Sequence, residues 1–229
     1  MADTAEVAIT CSELLALLNR PGVAGSLRKY FGVDQPGQPP AFTGGRFDVL
    51  DGGGDRSGVC NVITASDLVA VSCLQVPIPA QVSIDLLEGQ LGREIRGHLE
   101  RVPVDLDLGD PRATQHMQPG RAADLAWHLL DAQHGVGPVR AGKLLARKRP
   151  RLIPVYDDVV GCAYRSPEGR FWLWLHDLLA TCEGLAKKLD DLKDEAELPY
   201  RVSRIRVLDV AVWRMHEGSH IRGGDCPGI

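Results

Sequence analysis

The sequence predicts a mostly α-helical fold with a loop-rich N-terminal segment, and three observations carry that reading. Apolar residues recur at helical spacing through much of the chain beyond residue 63. Thr64-Ala65-Ser66-Asp67 has the form of a capping box ahead of the apolar run LVAVSCLQV. Residues 32–62, by contrast, hold GVDQPGQPPAFTGG and DGGGDRSG around GRFDVL. That density of glycine and proline leaves room for at most one short β-hairpin, near residues 42–63.

Taken in order, residues 10–19 (TCSELLALLN) form a short amphipathic helix capped by Thr10 or Ser12 and stopped by Arg20-Pro21-Gly22. The DGGGD run reads as a plain turn, since no capped helix follows it directly. A buried helix starts at the Thr64 box and ends at Pro77. Residues 82–101 continue as helix, with Ile84, Leu87, Leu91, Ile95 and Leu99 on its apolar side, and the Asp- and Pro-rich segment 103–119 is a loop. From Arg121, the residues Ala122, Leu125, Ala126, Leu129 and Leu130 repeat at i, i+3, i+4, i+7 and i+8, the pattern of a helix with one buried stripe. Phe171 to Cys182 repeats that spacing, and Val202, Ile205, Leu208, Val212 and Met215 repeat it again behind a Ser203 cap. The expected organisation is an N-terminal helix and loop segment over 1–62, a helical domain over 63–217 and a polar tail over 218–229.

The bulk properties exclude several classes of protein. No apolar run in the 229 residues approaches bilayer length, so the chain is expected not to enter a membrane. The start, MADTAEVAIT, has acids where an export signal would be basic, and the expected location is the cytoplasm. Six scattered cysteines with no C-x-x-C pair suggest reduced thiols, with no bound metal or iron–sulfur cluster. A net charge of −4 offers no general attraction to nucleic acid, so any such binding needs a local basic patch.

The stretch HGVGPVRAGKLLARKRPRLIPVYDDVV, residues 134–160, supplies a candidate patch. Gly135-Val136-Gly137-Pro138 joins the helix ending near Leu130 to one covering about Val139–Lys148, a hairpin over 134–148 whose glycines admit left-handed geometry. Amides at the start of the second helix, aided by its dipole, suit a phosphate without reading a base. Arg140, Lys143 and Arg147 fall at i, i+3 and i+7 as one basic stripe, while Ala141, Leu144 and Leu145 form the apolar face. Read structurally, the same pattern is an ordinary helical hairpin with a solvated basic face. Leu152-Ile153-Pro154-Val155-Tyr156 cannot prolong the helix and delivers Asp157 to the next one, where it can serve as a cap or as a reactive acid. Asp209, inside an otherwise apolar helix, needs a partner such as an arginine, or is a second acid of a pocket.

G-V-G-P-x-x-A, a helix, then P-V-x-D-x-x-V resembles the signature of the helix-hairpin-helix DNA glycosylase superfamily, and Gly135 and Asp157 stand 22 residues apart as that pattern asks. LLARKRPRLIPVYDDVV and RVLDVAVW are in addition similar to an uncharacterised domain family of actinobacterial proteins. The superfamily resemblance implies a glycosylase-like helical bundle that acts on double-stranded DNA. In it Asp157 is catalytic, and Gly135, Val136, Gly137, Arg140 and Lys143 contact the DNA. It also implies a monovalent cation at the hairpin, with no other cofactor. Bifunctional members carry a lysine within the hairpin; Val139 holds the corresponding place here, which implies a monofunctional enzyme. His134 stands where a proline is expected. Trp127, His128, His134 and Tyr156 are unranked candidates for stacking on a flipped base. Two further readings share the residues: a non-catalytic DNA-binding adaptor in which Asp157 only caps, and a hydrolase of free nucleosides or nucleotides that has no use for the basic stripe.

Overall fold

A computed structural model describes residues 8–38, 41–166 and 169–221. Twelve α-helices lie among these residues, with no β-strand among them. They are α1 (Cys11–Leu18), α2 (Val23–Phe31), α3 (Ala65–Ser72), α4 (Ala80–Glu88), α5 (Gln90–Leu99), α6 (Thr114–Met117), α7 (Ala122–Asp131), α8 (Gly137–Lys148), α9 (Asp158–Tyr164), α10 (Phe171–Thr181), α11 (Leu185–Glu195) and α12 (Arg204–His216). No described helix is long and apolar enough to cross a membrane.

Local sequence sets the helix starts. Thr10 accepts from the Glu13 amide while the Glu13 carboxylate accepts from the Thr10 amide, a full capping box for α1. Thr64 and Asp67 build the same device for α3, and Ser203 caps α12 through the Arg206 amide. The ends follow less closely. Helix α3 stops at Ser72 rather than Pro77, and the segment expected as one helix over 82–101 is divided at Gly89 into α4 and α5. Helices α2, α6 and α11 have no counterpart among the expected elements, α6 lying in the segment 103–119 expected as a loop, although Leu185, Leu189 and Leu192 of α11 bury one stripe at helical spacing.

The expected β-hairpin is absent from the described residues: two 3-10 turns, Thr43–Arg46 and Leu50–Gly52, stand in its place. The reason lies in where the backbone carbonyls find donors. Arg147 donates to Phe47 O and Leu50 O, Lys148 to Gly54 O and Val59 O at 3.1 Å each, and Arg149 to Cys60 O at 2.7 Å. Three buried cations at the end of α8 thus replace a strand ladder. Gly44 and Gly45 press so closely on Tyr30 that a β-carbon at either would collide with it.

Helices α8 and α12 form the interior. Ile205–Val212 of α12 and Ala141–Lys148 of α8 are buried on every side, and one apolar cluster runs from Ile9 through Val212. The loop-rich segment therefore shares the core of the helical body. Cys11 at the start of α1 is disulfide-bonded to Cys182 at the end of α10, across 171 residues of sequence, and Cys162 is disulfide-bonded too. This corrects the expectation of reduced thiols, which holds for Cys60 and Cys73. Residue spacing could not anticipate the bond, because only the packing of α1 against the far half of the chain brings the two sulfurs together.

Candidate active site

Helix α8 ends at Lys148, and the chain then turns into the buried run Leu152-Ile153-Pro154-Val155, in which Pro154 disfavours any further helix. Asp157 follows in extended geometry (φ −153°, ψ 178°) and caps α9, its Oδ1 accepting from the Val160 amide at 3.1 Å. Its Oδ2 faces the Lys143 ammonium at 3.4 Å. The carboxylate is thereby held at both oxygens, yet 27% of the side chain stays accessible, against 4% for Lys143. Asp157 is both a cap and an accessible acid.

The accessible side faces a cavity of about 280 Å³. Tyr30 of α2, Phe42, and Trp213 of α12 give it aromatic walls, and Thr43 and Gln75 contribute polar groups. The phenyl ring of Phe42 stacks on Tyr30 at 5.3 Å between centroids and meets Trp213 edge-on at 6.1 Å. Gln75 has a left-handed backbone (φ 64°), a conformation unusual for a residue with a side chain.

The floor of the cavity is ionic. Lys143, Arg206, Asp157 and Asp209 all line it. The Arg206 guanidinium donates to Asp48 Oδ2 at 3.0 Å, to the Tyr30 hydroxyl and Gly44 O at 3.1 Å each, and to Asp209 Oδ2 in a close ion pair. Asp209 thus has the arginine partner its apolar helix demands, one turn away, and lies in a pocket as well. Burial pushes the Asp209 carboxyl up to about 7, Arg206 pulling against that and the charge of Asp157 adding to it. Burial likewise raises Asp48 and Tyr30. It opposes the charge of Arg206, but Tyr30, Asp48 and Asp209 outweigh it and raise that group well above its usual value.

The hairpin has the expected geometry. Gly135 (φ 75°) between α7 and α8 and Gly137 (φ 66°) at the first position of α8 are left-handed, and Val136 is buried between them. Lys143 lies roughly 9 Å along α8 from Gly137, at the ordinary helical rise. The basic stripe does not form a surface, which corrects the reading of Lys143 and Arg147 as solvated groups. Lys143 is 3% exposed and paired with Asp157; Arg147 is 2% exposed and bonds Asp67 and two loop carbonyls. Of the three, Arg140 keeps partial exposure, its Nε donating to Pro77 O at 2.9 Å. Trp127, His128, His134 and Tyr156 all lie off the cavity lining; Tyr156 packs on Phe171 at 4.7 Å. Tyr30, Phe42, Gln75, Arg206 and Trp213 are lining residues that sequence reasoning misses. Arg206, three residues before Asp209 on an apolar helix, is the one with a readable signal.

A family described as a family of unknown function (DUF6308) matches residues 23–216. No curated protein and no solved structure matches the chain.

Proposed function

We propose that this chain, which belongs to the DUF6308 family, is a monofunctional glycosylase that hydrolyses the N-glycosyl bond of a base flipped out of double-stranded DNA. The observation that carries the reading is Asp157, immobilised by Val160 and Lys143 at the edge of an aromatic-walled cavity. Breaking an N-glycosyl bond builds positive charge on the sugar, and a fixed carboxylate beside that ring stabilises the oxocarbenium-like transition state and orients the attacking water. Binding pockets commonly span about 300–1,000 Å³, so a cavity at the lower limit suits one base rather than a dinucleotide. Trp213 is the wall against which a planar base can lie, since the Phe42 ring is stacked on Tyr30 and has the Arg214 guanidinium over it. The left-handed hairpin and Arg140 are the groups available to the adjoining phosphate backbone.

One observation favours a second reading. With Lys143 and Arg147 turned inward, little of the stripe is left for duplex DNA, which suits a hydrolase of free nucleosides working through the same carboxylate.

The test is base release from a panel of lesion-bearing duplexes and, in parallel, from free nucleosides, with the wild type beside Asp157→Asn. The expected outcome is release that falls by about 100-fold or more in the variant, the size of contribution a positioned carboxylate makes. Release from nucleosides alone selects the second reading. Salt-sensitive DNA binding with no release from any substrate leaves Asp157 as a cap and the protein as an adaptor. Borohydride trapping is expected to give no covalent adduct; an adduct would transfer the chemistry to the Lys143 amine.

A further inference from the structure

We infer that Asp209 is the proton donor of this site, passing its carboxyl proton to the departing base while Asp157 takes one from the attacking water; the inference rests on the glycosyl-hydrolase reading above. The division of labour follows from position and charge. Asp157 is partly exposed and has Lys143 for a partner, whereas Asp209 is 6% exposed and shares one guanidinium with Asp48.

Several elements bring a titratable or charged group toward Asp209. Its own helix supplies Arg206, the loop Asp48, α2 the Tyr30 hydroxyl, α8 Lys143, the α9 cap Asp157, and α9 itself the buried Tyr164. Asp157 has Lys143 to itself, whereas Asp48 and Asp209 compete for the one Arg206 guanidinium, and a proton on either relieves that competition. Arg147 also acts on Asp48, but not on Asp209, so Asp48 has the stronger claim to remain charged. Asp48 Oδ1 is buried without a hydrogen-bond partner, and Asp48 is not part of the cavity lining. Asp209 does line the cavity, so the proton held there can reach a ligand. Its elevated carboxyl, near 7, agrees with this placement.

The step balances without a cofactor. The bond between sugar carbon and base nitrogen breaks, its electron pair goes to the base, and the base nitrogen takes the Asp209 proton. Water adds to the sugar carbon and gives one proton to Asp157. Solvent exchange then returns a proton to Asp209 and removes one from Asp157.

Two probes separate this role from that of Asp157. Hypoxanthine in a duplex or nucleoside needs a proton to leave, whereas 7-methylguanine already carries a positive charge and departs neutral without one. Asp209→Asn is expected to slow hypoxanthine release about 100-fold and 7-methylguanine release by less than about fivefold, the range a general acid supplies. In the wild type, kcat/KM for hypoxanthine is expected to fall as pH rises through about 7, and the variant loses that limb. Equal losses on both bases overturn the donor role. Carboxyl-carbon NMR of the wild type needs no substrate and no variant: an Asp209 resonance titrating near neutrality supports proton storage, and titration in the ordinary carboxylate range overturns it. Should the wild type release no base at all, the hydrolase reading fails and the donor role falls with it. Release with an unchanged pH profile in Asp209→Asn sinks the donor role alone.

Discussion

Gln75 illustrates a local cost retained at the edge of the cavity. It lies in the turn after α3 with φ 64°, where a side chain is disfavoured and glycine is not, yet it borders the cavity beside Thr43. Gln75→Gly is expected to raise stability by about 1 kcal/mol, read as a higher urea midpoint at unchanged m-value. An unchanged or lower midpoint would mean that the conformation carries no strain. Asp157 is legible in the sequence because its signal is local: a buried apolar run broken by proline, then an acid at a helix start. The rest of its site is not. Tyr30, Phe42, Arg206 and Trp213 come from distant parts of the chain, and no spacing rule links residue 30 to residue 206. Charge misleads in a consistent direction, since Lys143 and Arg147 look solvated in sequence and are sunk where carboxylates and orphan carbonyls await them.

Among the elements, α8 does two jobs along one axis. Its middle presents Lys143 to Asp157, and its end feeds Arg147, Lys148 and the following Arg149 into the glycine-rich loop. Burial lowers Lys148 from its usual value and takes Arg149 down to about 10, so desolvation is felt on both. Asp67 is the carboxylate shared by Arg147 and Lys148, and it also closes the capping box of α3. The box is legible as a four-residue motif; the ion pairs are not, because Asp67 and Arg147 stand 80 positions apart and Lys148 is the next residue along. Asp67→Ala is expected to cost about 3–5 kcal/mol in chemical denaturation, since it strands two buried cations and uncaps a helix. A loss below about 1 kcal/mol would show that the loop carbonyls alone neutralise them.

For the whole molecule, the helical class is legible because periodicity and caps are local properties, whereas closure of the chain is not. Helix α1 is tied to the end of α10 by Cys11–Cys182, and a link spanning 171 residues constrains the unfolded chain over most of its length. Cys11→Ser is expected to lower stability by about 2–4 kcal/mol, and a reductant should bring the wild type at least as low, since it also opens the bond at Cys162. If reductant leaves the wild-type transition unmoved, the bond adds nothing to folding.

On the proposed function, the loop that lacks a β-ladder would also tie Asp157 to an unpromising stretch of sequence. Gly54 lies so near the carbonyl of Arg147 that a methyl group there would sit 2.5 Å from it. A side chain at that position must displace the loop or the end of α8, and α8 carries the ammonium that faces Asp157. If the proposed reaction is right, screens for inactive variants should find hits at Gly54, a residue outside the cavity lining.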